Sequence, residues 1–274
     1  MKKLTFTFVA VAAMMMAACG NKQKAAEGSS DSTETFEERQ IKAGMSVQLD
    51  SLTQCLLRLN PSKFYSVTPD GKINLSADEK KVTPDYLFIP EKLEGKLETL
   101  SAKYRALTVY YIDQKVAQQY EMNDMYSQAM QKLASEVNDP ALKLIKDEEV
   151  TYNDKNFAET NKKLYKIEEE NGRANFFWEC AATAIVEQTF LLTQNQEKLL
   201  ANFTDKDAED ITYRIALLVD AFEELSEYNP QLMQLLSVLQ PLEKLNAISV
   251  DQLRQQLNDS KEEVAQSRKS LFEF

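Results

Sequence analysis

The sequence predicts an all-α fold, a multi-helix bundle of long amphipathic helices carrying one small β-hairpin-like insertion near residues 62–80. Three observations lead there. Glycine and proline number only 6 and 7 in 274 residues, well under the roughly 12% of ordinary usage. No proline lies between positions 91 and 139 or between 141 and 229, so long segments run without a strong breaker. Within those segments the apolar residues recur at alternating intervals of three and four, which is helical spacing.

Taken in order, the first helix is expected from about 36 to 59, where Met45, Leu49, Leu52, Leu56 and Leu59 form one stripe that Asn60-Pro61 ends. A second should open at Pro90, a residue suited to a first turn, and carry Leu93, Leu97, Leu100, Tyr104, Leu107 and Tyr111 to about 121. Asn123-Asp124 is placed to cap a shorter helix holding Tyr126, Met130, Leu133 and Val137, which stops before Pro140. A long stretch from about 154 to 202 either continues through Gly172 or bends there, and its apolar second half, Phe176 to Val186, should be the centre of the fold. Thr204 caps a helix with Ile211, Ile215, Leu218, Phe222 and Leu225 in rhythm. Asn229-Pro230 opens the next. Ser249 to Gln252 has capping-box spacing ahead of a last amphipathic helix with Leu253, Leu257, Val264 and Leu271. The exception is the segment after the first helix, where two β-prone runs, Lys63 to Val67 and Lys72 to Leu75, flank Pro69-Asp70-Gly71 and suggest the hairpin.

The chain has no histidine. That excludes Ser-His-Asp and Cys-His catalysis and histidine-ligated zinc, and no metal or cofactor is expected. The formal charge of −11, spread along the chain, disfavours nucleic acid as a partner and reads as a solvated surface.

The N-terminus carries the most specific motif. Lys2 and Lys3 precede an apolar stretch that ends in Met16-Ala17-Ala18-Cys19, too short for a permanent span and arranged as an export signal. These four residues resemble the lipobox of bacterial lipoproteins, with Met at the position where Leu is commoner. The resemblance implies cleavage of residues 1–18 and lipidation of Cys19 through a diacylglyceryl thioether and an acylated amino group. Two or three acyl chains attach stably where one would be marginal. Residues 19–35 form a polar tether, and 36–274 a single helical domain. Gly20 stands where aspartate retains lipoproteins in the inner membrane in the Gram-negative pattern. Asn21 to Lys24 is basic where surface-export signals of Bacteroidetes-like lipoproteins are acidic. The expected location is therefore the outer membrane, on its periplasmic face.

Candidate sites in the body are fewer. Cys55 and Cys180 could pair in an exported protein, yet both lie beside apolar stripes and read somewhat better as small buried hydrophobes. Glu179, Thr183 and Glu187 repeat every four residues along the most apolar helix. Facing inward, they would be a polar site of carboxylates with raised pKa values. The plainer expectation is that they form the helix edge kept in water. Phe176, Phe177 and Trp178 with Tyr104, Tyr110 and Tyr111 suit core or pocket, and Glu168-Glu169-Glu170 reads as a solvated face. The expected function is a lipid-anchored binding or scaffolding module whose partner is an unidentified envelope protein or ligand. The alternatives are an extracytoplasmic carboxylate-dependent enzyme and a carrier of a small apolar ligand.

Overall fold

The computed structural model of the protein describes residues 35–56, 67–68, 72–140, 166–168 and 170–274. Among the described residues the regular structure is helical, without a strand. Cys19 and its tether, residues 62–66 and 69–71 of the expected hairpin, and residues 154–165 lie outside them.

Helix α1 spans Phe36–Leu56. Its start is a capping box: Thr35 Oγ1 accepts from the Glu38 N–H at 3.1 Å while Glu38 Oε2 accepts from the Thr35 N–H at 2.7 Å. Ile41 and Met45 turn toward the core, and the helix packs along the helix Asp205–Tyr228. The hairpin is not supported. Ile73 sends its N–H to Gln119 Oε1 at 3.4 Å instead of to a neighbouring strand, and Val67, Ile73 and Leu87 are buried against the helices. A lone two-stranded ribbon is only marginally stable, so burial of these side chains overrides their β propensity.

The expected long helix from Pro90 is interrupted. Pro90–Lys92 and Glu94–Lys96 are separate 3-10 turns, with Gly95, a poor helix former, inside the second. Helix α2, Leu100–Gln119, begins only where Thr99 Oγ1 accepts from the Ala102 N–H at 3.1 Å. Gln114 then fastens the turn out of α2: its amide donates to the carbonyls of Met122 and Asn123, and its oxygen accepts from the Tyr126 N–H. Helix α3, Ser127–Val137, buries Met130, Leu133 and Val137 and ends on Asn138 in the left-handed region, two residues before Pro140.

Residues 166–168 and 170 are helical, and the chain breaks at Gly172, whose φ of +67° suits glycine. Helix α4, Ala174–Gln194, follows, buried from Phe177 to Leu192. It is the expected centre, and α2 lies beside it. A single turn, Gln196–Leu199, leads to α5, Asp205–Tyr228. There Thr204 accepts from the Asp207 N–H, and the Asp207 carboxylate accepts from the Thr204 N–H at 2.8 Å. Thr204→Ala removes the hydroxyl that accepts from the Asp207 N–H and leaves the backbone half of the box in place; it is expected to cost about 0.5–2 kcal/mol, read as a lower denaturation midpoint. An unchanged midpoint would show that the cap contributes nothing.

Asn229 caps the turn Pro230–Leu232 through the Gln231 N–H, and α6 follows as Met233–Leu239. The last expected helix is two: α7, Val250–Asp259, capped by Ser249, and α8, Lys261–Ser270, with a break at Ser260. Helix α4 carries α2 and α8 against it, while α5 carries α1 and α6.

Candidate functional site

The line Glu179, Thr183 and Glu187 does not face water. Thr183 and Glu187 are wholly enclosed and Glu179 is 8% exposed, against the wet-edge expectation. The carboxylates stay there because arginines from distant parts of the chain reach them, since a buried charge needs a partner. Arg105 on α2, itself 1% exposed, donates from Nη1 to Glu179 Oε2 at 2.7 Å. Arg268 on α8 grips Glu187 in bidentate fashion, Nε to Oε2 at 2.7 Å and Nη2 to Oε1 at 2.6 Å. Thr183 serves the helix itself, donating to the Glu179 carbonyl at 2.7 Å.

Around Arg268 the seat is complete. Nη1 donates to the Tyr86 carbonyl at 2.9 Å. The guanidinium lies between two rings, with its carbon 3.8 Å from the Phe88 centroid and 3.9 Å from that of Phe190. Asp113 on α2 completes it, with Oδ2 3.6 Å from Nη2 of Arg268. The same oxygen accepts from the Phe88 N–H at 2.8 Å and lies 3.2 Å from the Tyr126 hydroxyl. Burial and the neighbouring Glu187 push the Asp113 carboxyl well above the ordinary aspartate range. Arg105 meets Glu179, and eight residues further along each helix Asp113 and Glu187 meet at the same Arg268 nitrogen. Helices α2 and α4 therefore run side by side in the same direction.

A second buried cluster repeats the composition. The Tyr104 hydroxyl donates to Asp139 Oδ2 in a short hydrogen bond and accepts from Arg173 Nη1 at 3.0 Å. Arg173 also donates to the Val137 carbonyl at 3.1 Å. Glu168, expected on a solvated face, is 2% exposed. Neither of its oxygens accepts a hydrogen bond from a donor among the described residues. Burial and Asp139 push its carboxyl up to about 10. Each cluster thus combines one tyrosine, one aspartate, one glutamate and one arginine.

Cys180 is a buried free thiol rather than half of a disulfide, and burial pushes its pKa up, away from the thiolate a nucleophile needs. The side chain of Cys55, its expected partner, lies outside those described. The aromatic residues pack on one another: Tyr104 stacks on Phe176 at 4.5 Å, and Trp178 meets Phe177 and Phe222 edge to face. Among the described residues no cluster of three or more cysteine, aspartate or glutamate side chains suits a metal ion, and no helix is long and apolar enough to cross a membrane. The sequence reading missed Asp113, Arg105 and Arg173, which had no distinguishing spacing. Arg268 did carry a signal, since it falls on the apolar stripe between Val264 and Leu271. No known protein family, curated protein or solved structure matches the chain.

Proposed function

We propose that the protein is a lipid-anchored envelope protein of the outer membrane, held on its periplasmic face through Cys19, that works as a helical binding or scaffolding module. The observation that carries this reading is the coincidence of two basic residues, a short apolar stretch and Met16-Ala17-Ala18-Cys19 ahead of a polar tether. Support for a scaffold over a catalyst comes from the interior charges. Glu179 and Glu187 are already paired with Arg105 and Arg268, so these carboxylates tie helices together and contribute to rigidity. The surface that meets a partner is then the outer faces of the bundle.

Fractionation tests the anchor. The wild-type chain, expressed in a lipoprotein-processing bacterium, is expected to incorporate labelled palmitate and partition with outer membranes. Cys19→Ser should incorporate none and leave the membrane. Membrane-bound, label-free Cys19→Ser alongside label-free wild type would sink the lipoprotein reading.

A second reading, a carboxylate-dependent enzyme, draws on the paired carboxyls Asp113 and Glu187, one acid and one base in a dry setting. Crosslinking and pull-down from the native membrane separates the two. A scaffold returns a stoichiometric protein partner, an apolar-ligand carrier returns a bound small molecule by native mass spectrometry, and an enzyme returns neither.

A further inference from the structure

The Arg268 seat contains two carboxyl groups and one guanidinium, all buried. Two full negative charges beside one positive charge in such a place would leave one charge uncompensated, which a buried site does not tolerate without cost. The hydrogen bonds decide which carboxyl gives way. Both Glu187 oxygens accept from Arg268, as an ionised carboxylate does. Asp113 uses only Oδ2, which accepts from the Phe88 N–H at 2.8 Å and lies 3.2 Å from the Tyr126 hydroxyl, whose single proton has a shorter path, 2.6 Å, to the Phe88 carbonyl. Its Oδ1 is enclosed and has no donor directed at it among the described residues, and its Oδ2 lies 3.6 Å from Nη2 of Arg268, the same nitrogen that donates to Glu187 Oε1 at 2.6 Å.

We propose that Asp113 keeps a proton at neutral pH, donated from Oδ1 toward Glu187, and that losing it in alkali loosens the C-terminal helix α8 and the Tyr86–Phe88 segment from the core. The cluster is neutral while the proton stays: Asp113 uncharged, Glu187 negative, Arg268 positive. When the proton leaves to bulk water, two carboxylates share one guanidinium, and the elements this arginine ties together are the ones freed. The facing groups are Glu187 from α4, Arg268 from α8, Tyr126 at the start of α3 and the Phe88 N–H. The Tyr86 and Tyr110 hydroxyls lie close enough to feel Asp113. Of these, Arg268 alone is a cation, and Glu187 already takes it in bidentate fashion. Desolvation and Glu187 act in the same direction on Asp113.

The test is Asp113→Asn, because an asparagine amide reproduces the protonated group. Its oxygen can accept from Phe88 and Tyr126 while its NH2 donates to Glu187. In the full chain this variant is expected to match or exceed the wild-type melting temperature at neutral pH. Its advantage should widen with pH, by at most about ten-fold in the folding constant per pH unit. Hydrogen exchange in residues 261–274, corrected for intrinsic base catalysis, should accelerate with pH in the wild type and stay flat in the variant. Infrared absorbance of protonated carboxyls at neutral pH should lose part of its intensity on substitution. A variant that is less stable at neutral pH with the wild-type pH slope, or an unchanged carboxyl band, overturns the proposal.

Discussion

Arg268→Ala should destabilise the protein by about 3–5 kcal/mol, the cost typical of removing one partner from a buried pair. The loss exceeds that of an ion pair because the arginine's departure strands Glu187 without its two charge-assisted bonds, frees the Tyr86 carbonyl, and opens a gap between Phe88 and Phe190. Arg268→Lys should recover little, since an ammonium cannot fill a planar bidentate slot between two rings. The exposed pair Arg254–Asp251 is the internal control, and Arg254→Ala should cost no more than about 1 kcal/mol. Trp178, the single tryptophan and fully buried, reports unfolding by fluorescence without labelling. Equal losses at positions 254 and 268 would refute the assignment of Arg268 to the core.

Replacement of Glu168 by glutamine should have the opposite sign. In the unfolded chain this carboxyl titrates near its ordinary 4.5, and in the folded protein near 10. Between those values the folded state keeps a proton that the unfolded state has released. Stability therefore falls as pH rises through this window, by up to about 1.4 kcal/mol per pH unit, and levels off above the folded value. Glu168→Gln removes the titration, so the variant should be the more stable chain at pH 8, with a flatter profile of denaturation midpoint against pH. An unaltered slope would mean that Glu168 is ionised in the folded protein. Its location beside Asp139, Tyr104 and Arg173 also makes the effect separable from that of Asp113, because the two clusters share no residue.

Much of the fold was legible because its signals act within a turn. Thr204 caps α5, Asn229 caps the turn at Pro230, and Ser249 caps α7, each through a side-chain oxygen reaching a backbone N–H two or three residues on. The apolar stripes of α2 and α5 were likewise readable, as was the apolar centre of α4. The errors came where local and distant preferences compete. Ile73 is β-prone, but its N–H goes to Gln119 of α2 and its side chain is buried against helices, which settled its conformation. Pro90 opens a helical turn as expected, yet Thr99 offered a better cap further along and the long helix starts there.

The polar residues show the limit most sharply. A glutamate every eight residues on an apolar helix, as at Glu179 and Glu187, is compatible with a wet edge or with a buried ion pair. The outcome depends on whether a cation arrives from elsewhere. Arg105 comes from 74 residues away and Arg268 from 81, distances at which spacing along the chain carries no information about contact.

By itself the sequence determined the helical class, the places where many helices begin, the exclusion of histidine chemistry, and the lipobox-like Cys19 on which the proposed anchor rests. Only the tertiary structure decided which carboxylates are buried, which arginines neutralise them and that Cys180 is a free thiol. The physical reason is range: capping and amphipathic spacing are energies within one or two turns. The protonation and burial of a charged side chain are set by the low dielectric around it and by the partner the fold delivers.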